Sequence, residues 1–313
     1  FKSAGTAAIR IGLLPLFGEI LFISLAGIWL LGFSLQSSLV LGCLIGAISP
    51  AIVIPGLLEL IETRRGKSKE LLQTLLVGAT IDNVVAVIAL GAALEFALAH
   101  SLRWADFFWI LPLKIAGGAL LGWIASSILL GLQNFRPLKD ARLGGITLWL
   151  VACSIVITSK YLDVSFVFGI LIAGSLICSK KIEWSAELSS SLKDIWQYAQ
   201  YPLFGLIGYA VVLKPLTHVG LVVVGVILMG QLGRALFSLV STAGKSMHKN
   251  QRLACVLSYI PKATIQAAFA ALPLDKGMQE GPLILGTAIV AIILTAPIGM
   301  IGLHHGVRRL LPP

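Results

Sequence analysis

Apolar stretches long enough to cross a lipid bilayer run through almost the whole chain. A bilayer core about 30 Å thick is crossed by roughly 20 helical residues, and many stretches reach that length. Of the 313 residues, 57% are hydrophobic and only 12% are charged, whereas soluble domains carry about 25% charged residues. The sequence therefore predicts an all-α polytopic membrane protein and excludes a soluble globular domain.

Ten membrane segments are predicted, joined by short connections into one transmembrane domain, residues 1–313. They run over about 9–33, 38–60, 70–99, 105–132, 142–159, 163–179, 194–213, 217–241, 251–273 and 282–307. Most Lys and Arg residues fall in the loops on the side that also receives both chain ends. Because cytoplasmic loops concentrate Lys and Arg, we expect a multi-pass protein of the cell membrane with both termini cytoplasmic. This one-sided pattern explains the net charge of +10 without a nucleic-acid partner.

Four ionisable side chains lie deep in predicted spans: Glu19, Asp82, Arg234 and Lys262. A charge at the bilayer centre costs about 2.5–3.5 kcal/mol on insertion scales, so such groups face a cavity or pair with each other. We hypothesise an ion pair between Glu19 and Arg234 that is mainly structural.

Asp82 has no basic residue within one helical turn along the sequence, so any partner comes from another helix. A desolvated carboxylate binds either a bare cation or a proton, and competition between the two is the minimal chemistry of an antiporter. The alternative is a structural ion pair in which Asp82 is permanently held. Exchange therefore requires that Asp82 reaches water and is not locked to a base.

Proline interrupts two predicted spans, at Pro50 and Pro55 in the second and at Pro261 in the ninth. Proline lacks an N–H and disturbs the helical ladder. Paired interruptions of this kind are typical of a transporter site, because broken helices present carbonyls and dipole ends inside the membrane. The four cysteines lack metal-ligand spacing, and there is no nucleophile–base set, phosphate loop or cofactor motif. We therefore expect neither an enzyme nor a bound cofactor.

Five stretches together resemble the monovalent cation/proton antiporter superfamily, closest to the subfamily B sodium/hydrogen exchangers and their bacterial relatives. They are residues 49–55, 78–85, 202–208, 261–268 and 295–299, in family order. The resemblance implies an inverted-repeat fold with two crossing Pro-broken helices. It implies core helices at about 9–99 and 217–307 and dimerisation or linker helices at about 105–213. It also implies a homodimer, with the first helices of the family absent before Phe1.

The resemblance assigns Asp82 as the carrier of the transported Na⁺ or K⁺ and of the proton. Neutral oxygen ligands, which a hard cation favours, would come from Asn83, Thr80 and Ser49. Backbone carbonyls near Pro50 would add further oxygens. Lys262 would either neutralise the crossing of the broken helices or pair with Asp82. With one titrating carrier, one-for-one electroneutral exchange is the simpler cycle.

Two positions depart from the family pattern. Relatives carry two adjacent acids, or Asn followed by Asp, and the second position is the usual carrier, whereas this chain has Asp82 and then Asn83. Relatives also place an acid two positions after the equivalent of Gly208, where this chain has Tyr209 and Ala210. Two alternatives therefore stand beside a cation/proton antiporter: a non-transporting or degenerate relative, and a sodium-coupled organic anion carrier of the same fold.

Overall fold

Helices follow the apolar stretches of the sequence in the computed structural model. The structure describes residues 5–63, 66–98, 104–131, 141–179, 214–243 and 247–311, together with positions 198, 201, 202 and 205. All regular elements in these ranges are helical. Six helical segments are long and apolar enough to cross a membrane, at 5–31, 35–63, 68–98, 112–131, 220–241 and 281–310. The prediction of a polytopic helical membrane protein is confirmed.

The described helices are numbered in chain order. The first seven are α1 (Gly5–Leu31), α2 (Leu35–Gly46), α3 (Pro50–Thr63), α4 (Gly66–Leu98), α5 (Trp104–Gly131), α6 (Ala141–Leu162) and α7 (Phe166–Ser179). The rest are α8 (Lys214–Ser241), α9 (Lys249–Ser258), α10 (Thr264–Phe269), α11 (Leu272–Asp275), α12 (Gly281–Ile301), a π-helix (Gly302–Val307) and α13 (Arg308–Leu310).

Both spans expected to be broken are broken. The second predicted span is two helices, α2 and α3, separated by residues 47–49, and the ninth is α9 and α10, separated by residues 259–263. Most of the seventh predicted span, 194–213, lies outside the described residues. The apolar parts of α6 and α7, Ile146–Leu162 and Phe168–Ile177, are shorter than the six candidate spans. The count of ten spans therefore stays a prediction.

The backbone contacts divide the chain into two compact units, residues 1–101 with 206–313, and residues 102–205. In the first unit, α1 packs along α2, α4 and α8 around buried aliphatic side chains such as Ile23, Leu44 and Val226. Glycine allows α1 and α4 to touch, since a Cβ on Gly12 would lie 2.6 Å from the carbonyl oxygen of Gly78. The core role expected for residues 9–99 and 217–307 stays a prediction.

In the second unit, α5 and α7 also approach closely through glycine. A Cβ on Gly118 would lie 2.2 Å from the carbonyl oxygen of Ser165, and one on Gly122 would lie 2.1 Å from that of Gly169. Small residues let backbones of membrane helices come together in this way. At the start of this interface, Lys114 Nζ donates to Asp163 Oδ1 at 2.9 Å. The dimerisation role expected for residues 105–213 stays a prediction.

Candidate functional site

The two helix breaks in the first unit cross and are joined by hydrogen bonds. The backbone N–H of Ser49 donates to the carbonyl oxygen of Pro261 at 2.8 Å, and the hydroxyls of Ser49 and Thr264 lie 3.2 Å apart. The backbone N–H of Lys262 donates to Thr295 Oγ1 on α12 at 3.0 Å. These contacts satisfy backbone groups that an interrupted helix leaves without intrahelical partners.

The side chain of Gln266 on α10 covers the carbonyl end of α2. Gln266 Nε2 donates to the carbonyl oxygens of Leu44 at 2.9 Å and of Ala47 at 2.8 Å. Because a helix carries partial negative charge at its C-terminal end, donors placed there are favourable. Carbonyls close to Pro50, which the sequence offered as cation ligands, therefore already accept hydrogen bonds.

The carbonyl oxygen of Gly46, the last residue of α2, accepts from two cationic side chains. Lys262 Nζ donates to it at 3.1 Å, and Arg234 Nη2 is its second donor. Both cations thus lie at the negative end of the α2 dipole. That Lys262 neutralises the crossing of the broken helices stays a prediction.

Two acids and two bases form a buried charge cluster at this crossing: Glu19, Asp82, Arg234 and Lys262. Arg234 donates from Nε to Glu19 and from Nη1 to Asp82 Oδ2 at 3.0 Å. Lys262 Nζ donates to Glu19 Oε2 at 2.6 Å. With all four groups ionised, the cluster is neutral, which is how buried charges are usually held.

Both carboxylate oxygens of Asp82 have partners. Oδ1 accepts the backbone N–H of Ile48, in the first break, at 3.2 Å, and Oδ2 accepts from Arg234. The side chain of Asp82 has no exposed surface. In this structure Asp82 is therefore buried and paired, as in the alternative of a structural ion pair. Among the described contacts, Lys262 bonds Glu19 and not Asp82.

The neutral ligands expected around Asp82 do not bond it in the described part of the chain. The Thr80 hydroxyl donates to the carbonyl oxygen of Leu76 at 3.1 Å, and Asn83 Nδ2 donates to that of Ala79 at 3.0 Å. Successive helical residues point about 100° apart, so Asn83 faces a different side of α4. The amide oxygen of Asn83 is buried and accepts no hydrogen bond from the residues that the structure describes.

Sequence reasoning missed two buried polar residues beside the second break, Tyr259 and Gln266. The Tyr259 hydroxyl donates to the carbonyl oxygen of Leu75 at 2.8 Å. Both residues are polar groups within an apolar span and flank Pro261, which was the signal available in the sequence. Of the resembling stretch 202–208, only Pro202 and Gly205 are described, and positions 209 and 210 lie outside the described residues.

Two interrupted helices that cross beside buried ionisable side chains, within a bundle of membrane-length helices, have the architecture of a secondary transporter. The family model described as "Sodium/hydrogen exchanger, transmembrane" matches residues 1–307. The chain belongs to this family, and so to the monovalent cation/proton antiporter superfamily.

Curated relatives are similar over nearly the whole chain. Sodium/hydrogen exchanger 9B2 of Mus musculus is 27% identical, covering 94% of this chain and 56% of its own length. The Homo sapiens 9B2 protein is 28% identical, covering 96% of this chain and 58% of its own length. Homo sapiens 9B1 is 24% identical over 87% of this chain and 54% of its own length. The chain therefore spans about half the length of the curated relatives it matches.

The fold is shared with a solved structure. The sodium proton antiporter MjNhaP1 from Methanocaldococcus jannaschii superposes with a TM-score of 0.73 at 17% identity. The match covers 98% of this chain and 78% of that protein. The prediction of an antiporter fold is confirmed by this likeness.

Proposed function

We propose that this chain exchanges a monovalent cation, Na⁺ or K⁺, for protons across a membrane, and that Asp82 carries both ions in turn. The observation behind the proposal is the position of Asp82 at the crossing of two broken helices in a sodium/hydrogen exchanger fold. A desolvated carboxylate at such a place binds a cation or a proton but not both.

The contacts of Asp82 show which hydrogen bond an arriving ion has to replace. An ion that binds Oδ2 replaces Nη1 of Arg234. Arg234 then keeps its contacts with Glu19 and with the carbonyl oxygen of Gly46. Because the guanidinium retains these acceptors, its release from Asp82 does not leave it as an unpaired buried charge. The Asp82–Arg234 pair is therefore proposed to open during the cycle.

One occupied carboxylate gives a one-for-one exchange. Whether Asp82 holds a cation or a proton, the cluster gains one positive charge relative to its empty, neutral state. The two loaded forms thus carry equal charge, and exchange of one cation for one proton moves no net charge.

The test is proton flux in proteoliposomes after jumps of external Na⁺ or K⁺. Asp82→Asn is expected to abolish cation-driven flux, because an amide does not titrate. The matched control is Asp163→Asn, the same acid-to-amide change in the second unit, where Asp163 is largely exposed. This control is expected to keep wild-type flux. Flux that survives Asp82→Asn would remove Asp82 from the mechanism.

A second candidate function is that of a non-transporting relative. It is favoured by one observation: both oxygens of Asp82 are occupied in a charge-balanced cluster, and the next position carries the non-titrating Asn83. In that case the cluster serves only stability, and the chain gives no cation-driven flux at any pH. The sodium-coupled organic anion carrier has no comparable observation in its favour.

We also propose that the protein is a homodimer of the cell membrane, with both termini cytoplasmic and with dimer contacts made by residues 105–213. The one-sided distribution of Lys and Arg supports the orientation. The separate compact unit at 102–205 supports a distinct interface domain. Accessibility of tags at the two chain ends and the mass of the purified protein test the two statements separately.

A further inference from the structure

We propose that Tyr259 is a positioning residue: anchored to α4 by its hydroxyl, it holds the guanidinium of Arg234 against Asp82 and so sets how readily an ion reaches Asp82. The inference rests on the proposed exchange function, in which Arg234 competes with the transported ions. Tyr259 has no exposed surface and caps the C-terminal end of α9, where it is the first residue of the second helix break.

The first observation is the anchor of the hydroxyl group. Tyr259 Oη donates to the carbonyl oxygen of Leu75 at 2.8 Å. Leu75 precedes Asp82 by seven residues, which is close to two helical turns, so both lie on one side of α4. The tyrosine is thus fixed along the same side of the helix that presents Asp82.

The second observation is the space that Gly78 leaves for this hydroxyl. A Cβ on Gly78 would lie only 2.6 Å from Tyr259 Oη. Any larger residue at position 78 would therefore push the hydroxyl away from Leu75. The anchor depends on α4 as well as on Tyr259.

The third observation is the contact between the ring and the cation. Arg234 Cζ lies 5.8 Å from the centroid of the Tyr259 ring, within the range in which an aromatic face attracts a guanidinium. In a desolvated site this attraction is stronger than at a protein surface. The ring therefore restricts where the guanidinium rests while its Nη1 reaches Asp82.

Loss of the Tyr259 ring is expected to strengthen ion binding at Asp82. Without it, Arg234 is expected to relax onto Glu19 and the Gly46 carbonyl, its two other acceptors. Less positive charge then opposes ions at Asp82, so that both the cation and the proton bind more tightly. The other charged groups at the cluster are Lys262 from the second break and Glu19 from α1, and neither changes in these variants.

The experiment compares Tyr259→Leu and Tyr259→Phe with wild type in proteoliposomes. For Tyr259→Leu we expect the Na⁺ concentration at half-maximal flux to fall roughly three- to tenfold, the scale of one cation–π contact. As the pH is lowered, flux through Tyr259→Leu should begin to fall at a higher pH than flux through wild type. Tyr259→Phe keeps the ring and loses only the hydroxyl anchor. It should therefore shift the half-saturating Na⁺ concentration and the pH of acid inhibition in the same direction as Tyr259→Leu, but by less. Tyr161→Leu, at an exposed tyrosine of the second unit, is the matched control.

A merely structural role for Tyr259 would lower maximal flux and protein yield but leave the Na⁺ concentration at half-maximal flux and the pH profile unchanged. That outcome in both variants overturns the proposal. Should the leucine variant fail to fold, Tyr259→Phe decides alone, and wild-type values for it overturn the hydroxyl anchor.

A second readout does not need transport and separates this inference from the proposed function. At neutral pH the ring is proposed to support the pair between Arg234 and Asp82, so Tyr259→Leu should lower the melting temperature in detergent. In an Asp82→Asn background, where that pair is absent, the same tyrosine change should lower the melting temperature by less, as expected for coupled residues. A full loss in that background rejects the inference, whether or not wild type exchanges ions.

Discussion

The backbone N–H of Ser49 donates to the carbonyl oxygen of Pro261 across 2.8 Å, so that the two broken helices are joined backbone to backbone. Neither group belongs to a regular helix. Inside a membrane each unsatisfied backbone group is costly, and this bond satisfies one from each break. The crossing is therefore a single unit, and changes in its anchors should affect both broken helices.

Replacement of Thr295 by valine should destabilise this crossing. Thr295 Oγ1 accepts the backbone N–H of Lys262 at 3.0 Å, and valine has the same shape without the acceptor. A buried donor left unsatisfied costs about 1–3 kcal/mol. Thermal unfolding in detergent should register the loss, whereas Thr295→Ser, which keeps the hydroxyl, should lose less. Equal stability of the valine and serine variants would contradict the role of this hydrogen bond.

Replacement of Glu19 by glutamine should destabilise the first unit strongly. Glu19 is the carboxylate shared by Arg234 and Lys262, so its neutralisation leaves two buried cations facing Asp82 alone. Removal of one partner from a buried ion pair costs about 3–5 kcal/mol. The control is Glu62→Gln on an exposed side chain of α3, which should stay within about 0.5 kcal/mol of wild type. Similar melting temperatures for the two variants would refute a structural role for Glu19.

Replacement of Asn83 by aspartate separates the two candidate functions. The change adds a titrating group next to Asp82, on a side of α4 where no described residue donates to the Asn83 amide oxygen. If the chain is a degenerate relative, cation-driven flux should appear only in this variant. If wild type already exchanges ions, the added charge should make exchange voltage-dependent. Asn250→Asp, at an exposed position of α9, is the control and should match wild type. Flux in Asn83→Asp that equals wild-type flux in size and voltage dependence would argue against both candidate functions.

Replacement of Gly122 by alanine should destabilise the second unit. The new Cβ would lie 2.1 Å from the carbonyl oxygen of Gly169, so α5 and α7 have to move apart. Overpacking of this kind costs about 1–3 kcal/mol. Gly174→Ala is the control, because a Cβ there meets no atom of the described residues within 4 Å. Thermal unfolding should place Gly122→Ala below wild type and Gly174→Ala level with it.

The sequence predicted the fold well because the rules that govern membrane helices are local. About twenty apolar residues in a row specify a span. Pro50 begins α3 directly after the first observed break, and Pro261 lies within the second. Pro55, by contrast, lies within α3 without interrupting it. Proline at this position removes one hydrogen bond, the one to the carbonyl of Ala51, and membrane helices tolerate such a loss.

The partners of the buried charges were less predictable. Sequence position identified Glu19, Asp82, Arg234 and Lys262 as a group, because a charge within a span needs a partner. It gave no means to decide that Arg234 bridges both acids while Lys262 bonds Glu19. Such choices depend on the relative rotation of helices far apart in the chain. Gln266 was missed for the same reason, since its acceptors lie about 220 positions earlier.

The balance of two acids against two bases bears on how a membrane potential acts on this protein. An empty, neutral cluster experiences no net force from the field. In the proposed exchange an ion on Asp82 gives the cluster one positive charge, and 100 mV across the full membrane changes the energy of its transfer by about 2.3 kcal/mol. That bias is the same for sodium and for the proton, so the field favours neither direction of the proposed cycle.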